Sequence, residues 1–180
     1  MIKVNKPWEH FILSETFVTK DFISIQEAML QWSKPEPGGR IREDILNQPS
    51  ADFILHKLDK QIYPLLYEIA LFDFSDTLLH QSNTKLIYKS EYNCQSKNHD
   101  YQVHTDAKCK LASIVTHISK YGTGTHLYGN DGSLHYTVPW KPNSSLLFTN
   151  GHKLHSFSSD YDYRVTLTST LEIVNDSNFH

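Results

Sequence analysis

His104 and Asp106 are separated by a single residue, Thr105. In a β-strand, side chains two positions apart point to the same side. At a strand end, one imidazole and one carboxylate can therefore converge on a metal ion. The triplet alone is weak, because H-x-D also describes an ordinary surface turn. Further along, Asn150-Gly151-His152-Lys153-Leu154-His155 supplies two more histidines. Arg164 follows His155 nine positions on, within Tyr163-Arg164-Val165-Thr166-Leu167. Two histidines and one carboxylate on one face of iron(II) leave three coordination positions open. A 2-oxo acid can fill two of them through its carboxylate and keto oxygens, and dioxygen can fill the third. A second carboxylate at the far end of that acid needs a buried cation, and the guanidinium fork of arginine pairs with it bidentately. His155 is the better-placed distal ligand. His152 competes with it, but lies farther from Arg164 and directly follows Asn150-Gly151, a turn signal.

These residues need a scaffold, and the chain divides into two patterns. The first half reads as helical. Ile25, Ala28, Met29 and Trp32 share one helical face. Pro35, Pro37, Gly38 and Gly39 then break regular structure. Arg40 to Gln48 reads as a loop or short helix, with Arg40 and Arg42 either solvated or placed to touch substrate. From Ala51 to His80, apolar residues including Phe53, Ile54, Leu58, Ile62, Leu65, Leu66 and Ile69 recur at helical spacing. Pro64 lies inside this run and is expected to kink it or split it in two. Past Thr84 come short β-rich runs: Leu86–Tyr88, Tyr101–His104, Ala112–Ile118, His126–Tyr128, Leu134–Val138, Ser145–Phe148 and Tyr163–Ile173. Strands at this spacing favour a sandwich or barrel. His10 to Leu13 is a further short strand candidate.

On these residues the sequence resembles the 2-oxoglutarate/iron(II)-dependent oxygenases, and within them the small prolyl-hydroxylase-like group. Pro7-Trp8-Glu9-His10-Phe11-Ile12-Leu13 is similar to the group's opening strand. Glu91-Tyr92 and Tyr101-Gln102-Val103-His104-Thr105-Asp106 are similar to the strands that enter its metal site. Ser145-Leu146-Leu147-Phe148 through His155 to Arg164-Val165-Thr166-Leu167 is similar to its closing strands. The resemblance implies an α+β fold with a double-stranded β-helix (jelly-roll) core and N-terminal supporting helices. It implies one domain over residues 1–180, helical over about 15–82 and jelly-roll over about 84–174. Carried over residue by residue, His104, Asp106 and His155 would ligate iron(II) and Arg164 would hold the distal carboxylate of 2-oxoglutarate. Tyr92 matches a tyrosine that in many relatives donates a hydrogen bond to the co-substrate, and Thr166 could assist from the same side of the strand as Arg164. Two features depart from the pattern. His117 stands where a tyrosine is common, and Asn93 to Asp100 lacks a glycine often found before the H-x-D strand.

The activity implied is hydroxylation of a C–H bond coupled to decarboxylation of 2-oxoglutarate to succinate, with dioxygen as oxidant. Prolyl side chains of a protein are the family-level substrate, and a free amino acid or other small molecule is the rival. Asp106 favours hydroxylation over the halogenating relatives, which have a small residue in place of the carboxylate. The demethylating relatives that act on nucleic acid carry a second arginine shortly after the first, and Val165 to Glu172 contains none. The alternative from another class is a cupin-like sensor or binding domain that keeps metal without turnover, or a purely structural jelly roll. Neither needs the carboxylate anchor at Arg164.

Bulk properties agree with a folded enzyme and narrow its partners. Charged residues make up 21% and hydrophobic residues 39% of the 180 positions, the composition of a globular chain. The net charge of −3 and the lack of a basic tract argue against a nucleic-acid partner. No run of about 18 apolar residues occurs and the N-terminus has no long apolar stretch, so neither a membrane span nor a secretory leader is expected. Cys94 and Cys109 read as free thiols, which with the missing leader leads to a cytoplasmic expectation.

Overall fold

The alternation of side chains along two long strands decides how this molecule is layered. A computed structural model describes residues 1–80 and 84–175, with the backbone alone for 75–80, 84 and 175. β1 (Ile2–Val4), β2 (His10–Leu13), α1 (Thr19–Leu30), β3 (Arg40–Asp44), α2 (Ala51–Gln61) and α3 (Tyr63–His80) make up the first part. β4 (Thr84–Ser96), β5 (His99–His104), β6 (Lys110–His117), β7 (His126–Tyr128), β8 (Leu134–Thr137), β9 (Ser145–Thr149), β10 (His155–Ser159) and β11 (Tyr163–Asn175) follow. They form a seven-stranded sheet in the order β1-β2-β9-β6-β11-β4-β3 and a four-stranded sheet in the order β5-β10-β7-β8. Every pairing is antiparallel. Two antiparallel sheets supported by three helices agree with a jelly-roll architecture of the α+β class.

β4 and β11 are both 13 residues long and pair along their whole length. Tyr92 and Cys94 of β4, with Val165, Leu167 and Leu171 of β11, point to one face of the sheet and are buried. There they meet Phe22, Ile25 and Met29 of α1 and Ile54, Leu58 and Leu66 of the following helices in one apolar core. Glu91, Asn93 and Gln95 occupy the alternate positions of β4, and Arg164, Thr166 and Thr168 those of β11. This second set turns to the opposite face and lines a cavity shared with the four-stranded sheet. A smaller apolar cluster of Leu127, Val138, Leu146 and Phe148 closes the space between the sheets beside it.

The helical half differs from the sequence expectation at one place. Arg40–Asp44 is a strand, paired with β4 from Arg40↔Gln95 to Asp44↔Glu91. A short 3-10 turn, Ile45–Asn47, follows it, with the Asp44 carboxylate accepting from the Leu46 amide at 2.9 Å. Four charged residues in five (RIRED) hide this edge strand from a hydrophobic pattern, and it interrupts the helical support. Pro64 splits the second helical run, as expected. It is the second residue of α3, where the missing N–H costs no hydrogen bond. The strand expectations past Thr84 are all met, but β4 and β11 run longer and β10 appears as well. Among the described residues, no helix is long and apolar enough to cross a membrane. Cys94 is a buried free thiol and Cys109 an exposed one.

Candidate metal centre

β5 ends on His104 and β10 begins on His155, and the two are register partners across the small sheet. Asp106 lies just past the end of β5. One ligand atom from each of His104, Asp106 and His155 lies within 4.8 Å of the others. His152 is not part of this group. It is exposed and sits with Asn150 and Gly151 on a neighbouring hollow that reaches Asp106 and Lys110 from the other side.

The hydrogen bonds around the three residues prepare them for a cation. Nδ1 of His104 lies 2.9 Å from the Gln102 carbonyl, and Nδ1 of His155 lies 2.9 Å from the Lys153 carbonyl. A carbonyl only accepts, so each Nδ1 carries its proton. That tautomer leaves the Nε2 lone pair of both rings free for a metal, the orientation that supporting hydrogen bonds commonly set. Asp106 accepts from Lys110 Nζ at 2.9 Å on Oδ1 and from Ser113 Oγ at 3.1 Å on Oδ2. Burial opposes ionisation of Asp106, but Lys110, His155 and Ser113 outweigh it and hold its carboxyl below the usual range. Burial lowers the His155 pKa, with partial compensation by Asp106. Both directions favour a neutral His155 imidazole and an ionised Asp106 carboxylate, the states a divalent ion requires of those two residues.

A buried cation stands on the floor of the same cavity. Arg164 is 1% exposed. Its Nε donates to the Thr123 carbonyl at 2.7 Å and its Nη1 to Gln95 Oε1 at 2.9 Å. The guanidinium carbon lies 4.6 Å from the centroid of the Phe157 ring and 5.3 Å from that of Trp140. Its Nη2 is buried and has no hydrogen-bond partner among the described residues. No carboxylate of the described residues pairs with it. Burial and then the nearby Arg40 cation press its pKa down to about 9, so it remains charged at neutral pH. An unpaired buried guanidinium is costly unless an anion answers it. Gly124 helps to build this corner. A Cβ there would fall 1.6 Å from the Val138 carbonyl oxygen, so only glycine lets the chain pass close enough to aim the Thr123 carbonyl at Arg164.

Thr166 is buried and lines the cavity one alternate position from Arg164, on the expected side of the strand. Tyr92 does not. Its position in β4 turns it to the helical face, where it packs edge-on against Trp32 with ring centroids 5.1 Å apart. Its hydroxyl donates to the Ser33 carbonyl at 3.0 Å. The expectation that Tyr92 meets a co-substrate is therefore corrected: strand alternation places it behind the sheet.

The residue that does present a phenol to the cavity is Tyr101. Its ring meets His104 edge-on at 4.6 Å and stacks on Phe157 at 4.9 Å with 6° between planes. Tyr101 lies three positions before His104, so plain alternation would put the two on opposite faces. The register of β5 against β10 shifts between His155↔His104 and Phe157↔Tyr101. That bulge inserts one extra residue in β5 and brings Tyr101 round to the His104 side. A bulge has no signature in a hydrophobic pattern, which is why the sequence does not single out Tyr101.

No family model and no curated protein matches the sequence. Solved structures do match the fold. A 2OG-Fe(II) oxygenase family oxidoreductase from Burkholderia pseudomallei is similar with a TM-score of 0.66 at 12% identity, over 91% of this chain and 84% of that one. The chain has the fold of the 2OG-Fe(II) oxygenases. A prolyl-4-hydroxylase from Pseudomonas putida matches with a TM-score of 0.61 at 16% identity, over 91% of this chain and 92% of that one. A prolyl hydroxylase from Trichoplax adhaerens, in complex with a peptide fragment of the hypoxia inducible factor oxygen degradation domain, matches with a TM-score of 0.63 at 13% identity, over 91% and 83%. Within this 2OG-Fe(II) oxygenase fold, the His104–Asp106–His155 group and Arg164 share one cavity between the sheets.

Proposed function

We propose that this chain is a 2-oxoglutarate- and iron(II)-dependent dioxygenase that hydroxylates a C–H bond. The observation that carries this reading is the pairing, in one cavity, of a His-Asp-His group with an acid-free buried guanidinium that keeps one N–H unanswered. In this reading the two sheets are the halves of a double-stranded β-helix, and residues 1–180 form one domain.

His104 and His155 would bind iron(II) through Nε2 and Asp106 through a carboxylate oxygen. Arg164 would take the far carboxylate of 2-oxoglutarate with its free Nη2, and Thr166 would line the path between anchor and metal. Bound iron(II) with 2-oxoglutarate supplies dioxygen activation for C–H hydroxylation, coupled to decarboxylation of the co-substrate to succinate and carbon dioxide. The chain's own part is binding and positioning. Lys110 and Ser113 fix the Asp106 carboxylate, and the Gln102 and Lys153 carbonyls fix the two imidazole tautomers. Phe148, Phe157 and Val115 supply apolar walls. The reacting group is a prolyl side chain of a protein or a carbon of a small molecule such as an amino acid.

The test is succinate release. Iron-loaded protein should convert 2-oxoglutarate to succinate slowly without substrate and faster with the right member of a panel of prolyl peptides and amino acids. A fully iron- and 2-oxoglutarate-loaded protein that stays silent on exposure to oxygen would reassign it as a non-catalytic metal-binding module of the cupin type.

A further inference from the structure

The charges that line the cavity do not balance within it. Arg42 pairs with Glu91 at 2.5 Å and Lys110 pairs with Asp106 at 2.9 Å. Arg164 is accounted for by the far carboxylate of 2-oxoglutarate. Arg40 is left over. Arg40 lies in one row of the large sheet with Gln95 and Arg164, since Arg40 is the register partner of Gln95 and Gln95 that of Arg164. Its guanidinium carbon lies 4.7 Å from the centroid of Tyr101 and 5.2 Å from that of Phe157. Tyr101 in turn touches the His104 ring, so a single aromatic side chain separates Arg40 from the metal group.

The surroundings of Arg40 match those of an anion site. Its Nη2 donates to Asn93 Oδ1 at 2.7 Å, a neutral acceptor. Its Nε is buried and has no partner among the described residues. The two aromatic rings hold the plane of the guanidinium fork, which fixes the directions of its N–H groups. Burial and then the adjacent Arg42 disfavour its charge, and Tyr101 and the more distant Glu91, already paired with Arg42, offset them only in part. An arginine kept half-buried beside the like charges of Arg42 and Arg164, with an N–H unanswered, is placed to receive an anion from outside the chain.

On the dioxygenase reading, we propose that Arg40 is the anchor for a carboxylate of the primary substrate, so that the enzyme hydroxylates a carboxylate-bearing molecule held between Arg40 and the metal. The carboxylate belongs to a free acid such as an amino acid, or to an acidic side chain beside the reacting residue of a peptide. The planar fork selects carboxylate over a neutral amide of the same shape. Arg40 and Arg164 thus form two anion sites in one row, one for each substrate of the reaction.

The experiment is an anaerobic calorimetric titration of the full chain loaded with manganese(II) and saturated with 2-oxoglutarate. Propionate and propionamide are the first probes. Wild type should bind one equivalent of propionate at millimolar concentration and no propionamide. Arg40→Met, which keeps the apolar stem and removes the fork, should weaken propionate at least about tenfold. The affinity for 2-oxoglutarate should stay within about threefold in Arg40→Met and fall about 100-fold or more in Arg164→Met. Should Arg40→Met fail to fold, Arg40→Lys keeps the charge without the fork and should still weaken propionate by about threefold or more. Equal binding of propionamide, or unchanged propionate binding in the variant, overturns the proposal. So does a loss of 2-oxoglutarate affinity in Arg40→Met equal to that in Arg164→Met, because Arg40 would then serve the co-substrate. If wild type takes up propionate through Arg40 but binds no 2-oxoglutarate, the dioxygenase reading fails while the anion site stands. Amino acids then compared with acidic peptides, each against its amide, separate the two sources of the carboxylate.

Discussion

His104 and His155 are direct cross-strand partners in the small sheet, with ring centroids 4.3 Å apart. Each closes its strand at the same end, and each donates its Nδ1 proton to the carbonyl two residues before it. The candidate metal group is thus built by one strand pairing, and its third member rides on the turn that leaves β5. Such a group depends on register. A slip of one residue in β10 would turn His155 away from His104 and place Ser156 there instead.

Asp106→Ala should abolish high-affinity metal binding while the protein stays folded. The loss should exceed the roughly 10–100-fold that accompanies removal of a supporting hydrogen bond, because a ligand itself is gone. Asp106 contributes no packing to either apolar cluster, so the far-ultraviolet circular dichroism should match wild type. Lys110 loses its partner and stability should fall by about 1–3 kcal/mol. Manganese titration together with thermal melts checks both parts. Tight metal binding in Asp106→Ala would remove Asp106 from the ligand set.

Arg164→Ala should weaken 2-oxoglutarate by about 3–5 kcal/mol, the cost of leaving one member of a buried ion pair alone. Metal affinity should hardly change, since Arg164 makes no hydrogen bond with any of the three candidate ligands. Anaerobic equilibrium binding of 2-oxoglutarate and of manganese, measured separately, distinguishes the two effects. Equal loss of both ligands would point to a collapsed cavity.

The site was legible where it follows strand alternation. Arg164 and Thr166 alternate along β11, Asp106 follows His104 by two residues just past the end of β5, and all four line the cavity. Tyr92 is also an even number of residues from His104, but it belongs to β4, which is a different strand. Only the pairing of β4 with β11 decides its face, and pairing is not a local property of sequence. Tyr101 escaped for the opposite reason, since a bulge changes its parity. Arg40 was visible in the sequence as a residue that could touch substrate, but its strand was not, because a mostly charged edge strand has no apolar rhythm to betray it. The helices were plain in outline because α1 and α2 each bury a stripe at helical spacing: Ile25 and Met29 in one, Ile54 and Leu58 in the other.

Tyr92→Phe separates the structural placement from the family expectation. The hydroxyl donates to the Ser33 carbonyl behind the sheet, so its loss should cost about 1 kcal/mol of stability. The KM for 2-oxoglutarate should stay at the wild-type value. Tyr101→Phe should do the reverse, changing turnover or coupling of the loaded enzyme with little change in melting temperature. Urea unfolding and succinate assays on both variants test the pair. A raised KM in Tyr92→Phe alone would mean that Tyr92 reaches the co-substrate after all.

Acid should destabilise this fold through His117, the register partner of Thr166 in β6. His117 is fully buried, and its ring stacks on Trp140 at 4.2 Å with 17° between planes. Nδ1 lies 3.1 Å from Ser144 Oγ, and Nε2 has no partner among the described residues. Burial first, and then the Arg164 cation, push its pKa from 6.5 to about 3. The unfolded chain therefore binds a proton that the folded chain refuses. Stability is fully present above pH 6.5 and is lost as pH falls from 6.5 towards 3. The slope from one such group is about 1.4 kcal/mol per pH unit. His10 and His126 have lowered pKa values too and add to the loss in wild type. His117→Phe keeps a flat ring against Trp140 and removes the titration. In metal-free protein with chelator, unfolding free energies at pH 7, 6, 5 and 4 should fall less steeply for His117→Phe than for wild type, by about 1.4 kcal/mol per pH unit below 6. Parallel lines for the two proteins would show that His117 accepts a proton in the folded state, and that the Arg164 corner is more open to water than its burial implies.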